Sequence, residues 1–364
     1  MRVLFLIRRD AFDKPGGDLF QIQNYSKSLA QYNVHSDILV NIPESFKSYD
    51  IIHLTNIDRP LETFYFFDYL KKNCTAKIVI STIHHSYSYI KQYERIHREG
   101  VLKYLNYFVS EYGSLEKIRN IYRALSYPDL FPIVVNQFLS STLINQRSIL
   151  ENVDYIFPIA DGELQSINDE FSLKLNRYKT IYNGVDVESS HNPICAKIYD
   201  VLVAGRIEAR KNQISILKSL EKTNLKVAFV GGINKNHKSY CKLFFQEIAK
   251  NPNAVYLGQV QHHEMKSIFS ASKTHISASW FEVASLVDLE AAFYGCNVIA
   301  SNHGYSNEYL GSYAEYVNPN SLDDIQNKIE LSINKQYNLK VKNHILSNFT
   351  WEKAAFNLFE TYSL

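Results

Sequence analysis

The sequence predicts an α/β protein of two domains, each built around a parallel sheet. Three observations carry this. Short apolar runs alternate with stretches of helical periodicity, which is the rhythm of βαβ units. That rhythm occurs in two series, separated by a long aromatic-rich interval. A chain of 364 residues is also too long for one ordinary core and suits two domains of about 150–200 residues.

The first series opens with Val3-Leu4-Phe5-Leu6-Ile7, a run that suits a buried parallel strand. It is too short for a signal-peptide core or a membrane span, and no other run approaches the roughly 20 apolar residues a spanning helix needs. The loop Arg8 to Asp18 follows and contains Pro15-Gly16-Gly17-Asp18. A helical pattern then places Phe20, Tyr25, Leu29 and Ala30 inward. Further strands are expected at Ser36 to Val40, Ile51 to Leu54 and Lys77 to Thr82.

From about Tyr89 to Asn152 the pattern becomes long, helical and aromatic-rich. Leu115, Ile118, Ile121, Tyr122 and Leu125 share one helix face, with Lys117, Arg119 and Arg123 on or beside the polar side. This is either an ordinary surface helix or a basic amphipathic element that rests on anionic lipid or grips a charged acceptor. Strand character returns at Val153 to Ile159. The second series runs through Asp200 to Gly205, Lys226 to Gly232, Val255 to Gly258, Thr274 to Ser277 and Asn297 to Ala300, each run followed by a helical stretch.

Composition excludes several classes. An apolar fraction of 46% and a charged fraction of 21% are those of an ordinary globular protein. A net charge of +2 gives no support to a nucleic-acid partner, and the 26 tyrosines and 21 phenylalanines form no aromatic-basic recognition motif. Cys74, Cys195, Cys241 and Cys296 are scattered, which suggests neither a zinc site nor a disulfide framework. Reduced thiols in a cytoplasmic protein are the expectation.

The second series also carries the candidate chemistry. Gly205-Arg206 ends a strand and Lys211-Asn212 opens the next helical stretch, so two cations either converge at the C-terminal edge of a sheet, where open α/β folds bind ligands, or form surface salt bridges with Glu208. In Ser279 to Ala292 a strand ends near Ser279, a turn carries Glu282, and a helix is expected to start around Ser285. Its first N–H groups suit a phosphate oxygen, and Glu290 lies about one turn further in. Cations, helix N–H groups and a carboxylate are what a diphosphate and a ribose diol require.

On these residues the chain resembles family 4 of the retaining glycosyltransferases, which have the GT-B fold. The family's pattern of glutamate, seven residues, glutamate, then a small residue, glycine and a V-I-A strand is similar to Glu282 through Ala300. Its G-R followed by K-N resembles Gly205-Arg206 and Lys211-Asn212, and its interdomain N-G-V-D resembles Asn183-Gly184-Val185-Asp186. Val255 to Val260 is similar to its V-x-x-L-G strand, Gly304 and Glu308 resemble its glycine and glutamate after the last strand, and Trp351 to Tyr362 is like its terminal tryptophan helix. Pro15-Gly16-Gly17-Asp18 resembles the family's glycine loop and is not a GxGxxG, so no dehydrogenase fingerprint is present. Thr82-Ile83-His84 resembles its T-x-H, with His84 the matching histidine; the alternative for a lone strand-end histidine is a satisfied structural residue.

The resemblance implies two Rossmann-like domains facing each other across a cleft. Residues 1–182, with the helical segment near 89–152, would bind the acceptor; residues 183–348 would bind the nucleotide sugar; residues 349–364 would cross back to the first domain. It implies sugar transfer from a nucleotide-diphosphate donor with retention of configuration, without metal or other cofactor. His84, Glu282, Arg206 and Lys211 are then the catalytic set. Gly16, Gly17, Gly205, Arg206, Lys211, Val260, Glu282, Ser285, Leu286, Val287 and Glu290 are then the donor site, with Glu290 on the ribose and Glu282 on sugar hydroxyls. The implied acceptor is a saccharide or lipid-linked glycan in surface polysaccharide synthesis, handled in the cytoplasm at the inner face of the membrane with peripheral contact. Val283-Ala284-Ser285 stands where the family has glycine-aromatic-glycine, Asn297 where it has proline, and Gly304-Tyr305 where it has paired glycine, which puts the usual sugar choice in doubt. A nucleotide-sugar epimerase of the same fold and a non-catalytic donor-binding subunit are the alternatives.

Overall fold

The computed structural model describes residues 1–97, 142–186 and 196–364, together with residues 121, 124, 125, 127, 130, 131, 134 and 135. Lys117, Arg119 and Arg123 of the candidate basic helix, and Cys195, lie outside the described residues. The chain divides into two compact units, Met1–Asn183 with Trp351–Leu364, and Gly184–Thr350.

In the first unit the described elements run β1 (Arg2–Leu6), α1 (Gly17–Leu29), β2 (His35–Leu39), β3 (Ile51–Thr55), α2 (Pro60–Asn73), β4 (Lys77–Ser81), α3 (Tyr87–His97), α4 (Thr142–Asn152), β5 (Tyr155–Phe157) and α5 (Asp161–Phe171). The strands form one parallel sheet in the order β2-β1-β3-β4-β5. Val3 to Leu6 and all of β3 are buried, as a sheet covered on both faces requires. The helix Trp351–Tyr362 packs into this unit: Trp351 meets Tyr25 edge-on at 5.8 Å, and the Tyr362 hydroxyl lies 2.5 Å from Nδ1 of His53. His53 is wholly buried, and burial pulls its pKa down to about 3.

The second unit follows as β6 (Tyr199–Ala204), α6 (Gln213–Ser219), β7 (Val227–Val230), α7 (Lys238–Lys250), β8 (Ala254–Tyr256), α8 (His262–Ser270), β9 (Ser272–Ser277), α9 (Leu286–Phe293), β10 (Asn297–Ser301), α10 (Ser306–Leu310), β11 (Ala314–Val317), α11 (Leu322–Ile333) and α12 (Lys340–Asn348). Its parallel sheet has the order β8-β7-β6-β9-β10-β11. Counted from β6, this is 3-2-1-4-5-6, the doubly wound order whose strand direction of growth reverses between β6 and β9. Val201, Val203, Val227, Phe229, Ile276 and Ile299 join Phe244 and Ile325 in its core. Among the described residues no helix is long and apolar enough to cross a membrane.

Candidate functional site

The reversal between β6 and β9 opens a crevice at the C-terminal strand ends, and Gly205, Arg206, Lys211, Glu282 and Ser285 of the predicted donor set stand on its two banks, whereas Gly16 and Gly17 lie in the first unit and Val260 follows β8. The loop after β6 carries Gly205, Arg206, Arg210 and Lys211; the loop after β9 carries Glu282 and leads through Ser285 into α9. Ser285 is the N-cap in extended conformation, so α9 begins at Leu286, as the sequence suggests. Arg206 is exposed and Val260 half-buried, whereas Ser285 and Glu290 are buried.

Across the crevice two cations meet one carboxylate oxygen. Arg210 Nη1 donates to Glu282 Oε1 at 2.8 Å, and Lys211 Nζ donates to the same oxygen. Arg210 Nη1 also reaches the Phe281 carbonyl at 3.1 Å, its Nε donates to Glu208 Oε1 at 3.2 Å, and its guanidinium lies 5.5 Å from the Phe281 ring centre. Its backbone carbonyl accepts from Trp280 N at 2.8 Å. Burial works against the Arg210 charge, but Glu282 and Glu208 outweigh it and hold the pKa above the ordinary value. Burial likewise pushes Glu208 up, and Arg210 and Asn234 pull it below the usual carboxylate range.

Gly304 has a steric reason to be glycine. A Cβ at Gly304 would fall 2.8 Å from the Glu282 carbonyl oxygen, so Gly304 lets the Glu282 loop lie flat on the loop after β10. A Cβ at Gly205 would rest 3.6 Å from Lys211 Cε, which places the lysine stem over that strand end. Beneath α9, Asp288 is buried and accepts from Ser277 and Ser306 and bonds His275, fixing the helix on the sheet.

Glu290 points at α8. His262 Nε2 lies 2.8 Å from Glu290 Oε1, and that bond, against burial, raises the His262 pKa. His262 is the first residue of α8, whose start is fixed by a capping box between Gln261 and Glu264.

The first unit has its own polar cluster at the ends of β3 and β4. Gly16 ends the loop after β1 as the N-cap of α1 and Gly17 opens that helix, where Arg8 bridges Asp18 at 2.6 Å, Asp10 at 2.6 Å and the Lys14 carbonyl at 2.6 Å. A Cβ at Gly16 would strike this bridge, 2.9 Å from Asp18 Oδ1; a Cβ at Gly17 would meet nothing within 4 Å. His84 departs from the role expected of it. It is wholly buried, with Nδ1 on Asp58 Oδ1 at 2.6 Å and Nε2 on Glu170 Oε2 at 2.8 Å. Both ring nitrogens are therefore taken by carboxylates, and the side chain is not presented to a ligand. Burial opposes its charge, but Asp58 and Glu170 raise its pKa to about 10, so it is an imidazolium at neutral pH.

Three carboxylates over-determine this loop. Glu163 accepts from the Thr82 hydroxyl at 2.5 Å, His84 N at 2.6 Å and Ile159 N at 2.6 Å. Asp58 accepts from His85 N, and Glu170 from Ser86 Oγ and Tyr87 N. They hold Ile83, a β-branched residue, at φ 48°, a conformation such residues rarely adopt. Arg210, His262, Asp58, Glu163 and Glu170 were not singled out by sequence. Only Arg210 had a local signal, its place beside Lys211 in a loop at a strand end.

Residues 189–347 match the family described as glycosyl transferases group 1. The match covers nearly all of the second unit, which is similar to that family. Sequence relatives of the chain include the N-acetylgalactosamine-N,N'-diacetylbacillosaminyl-diphospho-undecaprenol 4-alpha-N-acetylgalactosaminyltransferase of Campylobacter jejuni, 25% identical over 205 residues, 53% of each chain. The capsular polysaccharide biosynthesis glycosyltransferase CapH of Staphylococcus aureus is 28% identical over 156 residues, 41% of this chain and 42% of CapH. The match thus spans about half the length of these curated relatives. Solved structures with the same fold include sucrose-phosphate synthase from Thermosynechococcus elongatus, at 14% identity and a TM-score of 0.73 over 100% of this chain and 98% of that one. The Anabaena protein HepE in complex with UDP matches at 15% identity and a TM-score of 0.70 over 100% of both chains. The chain has the GT-B fold of these neighbours.

Proposed function

We propose that the chain transfers a sugar from a nucleotide-diphosphate donor to an acceptor with retention of configuration, and that the crevice between β6 and β9 is the donor site. The observation that carries this is the convergence of Arg206, Arg210, Lys211, Glu282 and the first turn of α9 at one topological switch point. Arg206, Lys211 and the N–H groups of Leu286 and Val287 take the diphosphate, Glu290 the ribose diol and Glu282 the sugar hydroxyls. Negative charge grows on the leaving diphosphate in the transition state, so these donors accelerate departure as well as bind. They offset the charge without a metal in this reading. HepE has been solved in complex with UDP and, separately, with UDP-glucose, which supports a nucleotide-sugar donor for this fold.

The names of the two sequence relatives point to an undecaprenol-linked or capsular glycan, which supports a saccharide or lipid-linked acceptor. The clamped His84 shapes the loop after β4 rather than touching substrate in this reading. The test is a transfer assay with UDP-, GDP- and ADP-sugars over saccharide and lipid-linked acceptors. Wild type should form product of retained anomeric configuration, and Arg206→Ala should lower kcat by about ten- to a thousandfold. Epimerised sugar formed without acceptor, or donor binding without turnover, would point to the alternatives; an unchanged kcat in Arg206→Ala would remove the role given to that residue.

A further inference from the structure

Two cations sit on Glu282, and they are held differently. Arg210 is tied on every side: to Glu282, to Glu208, to the Phe281 carbonyl and through its own carbonyl to Trp280. Glu208 is itself fixed by Asn234 at 2.7 Å. Lys211 has one side-chain acceptor among the described residues, Glu282 Oε1, so two of its three N–H groups are not used by the described residues. Its stem lies along the Gly205 strand end, beside exposed Arg206.

We infer that Arg210 is a positioning residue which keeps Glu282 charge-compensated and in place, so that Lys211 can leave Glu282 for the donor diphosphate. The inference rests on the donor-site reading above. With Arg210 present, moving Lys211 to the diphosphate leaves Glu282 paired with a fixed guanidinium. Without it, the half-buried carboxylate would be stranded, and Lys211 would be retained by Glu282 at the expense of the ligand. Arg210 thus acts on phosphate affinity through Lys211 and touches no substrate atom itself. A bidentate, always-charged guanidinium suits this anchoring part, and a flexible ammonium on a four-carbon stem suits the moving one.

The test is isothermal titration of the full chain with UDP, which lacks the sugar, so the contact proposed between Glu282 and the sugar does not enter. Arg210→Gln should weaken UDP by about tenfold. Adding Glu282→Gln to it should restore affinity to within about twofold of Glu282→Gln alone. A double variant as weak as Arg210→Gln would overturn the inference, because Arg210 would then be serving the phosphate or the fold directly. Glu282→Gln alone keeps the idea testable if Arg210→Gln fails to fold. It should bind UDP several-fold more tightly than wild type, and the gain should vanish in a Lys211→Met background. Equal or weaker binding, or a gain that survives Lys211→Met, would also overturn it. Wild type that binds none of UDP, GDP and ADP would sink the donor reading itself, whereas wild type that binds while Arg210→Gln binds equally well would sink only the part given to Arg210.

Discussion

His84 shows how a single side chain changes its meaning once its neighbours are known. It ends a strand in a T-x-H pattern, yet Asp58 and Glu170 enclose it from elements 26 and 86 residues away. Removing the imidazolium would leave two carboxylates facing an uncharged gap, which costs about 3–5 kcal/mol where charges are buried. The pH dependence follows in sign. A histidine whose folded pKa is raised from 6.5 to about 10 contributes stability that is full below about pH 6.5 and is lost as pH rises through about 10. Glu163, raised mainly by burial to about 7 with the His84 charge among the influences that pull it down, loses its contribution as pH rises between about pH 4.5 and 7 in wild type. Thermal unfolding should therefore show His84→Gln less stable than wild type at pH 7, with the difference shrinking toward pH 10. A constant difference across that range would mean the imidazolium does not carry the effect.

At the scale of elements, the site is made by the meeting of strand ends. Gly231 is the sharpest case: its φ is 141°, and a Cβ there would lie 2.2 Å from the Gly205 carbonyl oxygen, at the root of the Arg206 loop. Gly231→Ala should cost about 3 kcal/mol or more from backbone strain and overlap together, read as a lower urea midpoint. An unchanged midpoint would show that the two strand ends can separate freely. Elements were largely legible in the sequence because buried parallel strands write themselves as apolar runs, as in Val201-Leu202-Val203-Ala204. The start of α9 was legible too, since Ser285 precedes a helical stretch. The carboxylate clamps on the Thr82–Tyr87 loop were not, because they join β3, β4 and α5 through tertiary pairing alone. Nor was the Arg210–Glu282 bond, which spans 72 positions, or the His262–Glu290 bond, which joins two helices. Sequence spacing named the glutamates; packing supplied their partners.

For the molecule as a whole, each sheet places its polar loops at the C-terminal strand ends, and the second unit gathers cations, helix N–H groups and two glutamates there. The 3-2-1-4-5-6 order explains why residues as far apart as Lys211 and Glu282 share one crevice: β6 and β9 are neighbours in the sheet and their loops face each other at the reversal. Glu290 differs from Glu282 in being asked to bind the ribose diol shared by UDP-, GDP- and ADP-sugars, so it tests the donor site without knowledge of the sugar. The direct measurement is the thermal shift of wild type and Glu290→Gln over a panel of UDP-, GDP- and ADP-sugars, since a ligand that binds only the folded state raises its midpoint. The expected result is stabilisation of wild type by at least one donor class and its loss in Glu290→Gln; a wild type that no nucleotide sugar stabilises, or a variant that responds as wild type does, would contradict the assignment of this crevice as the donor site.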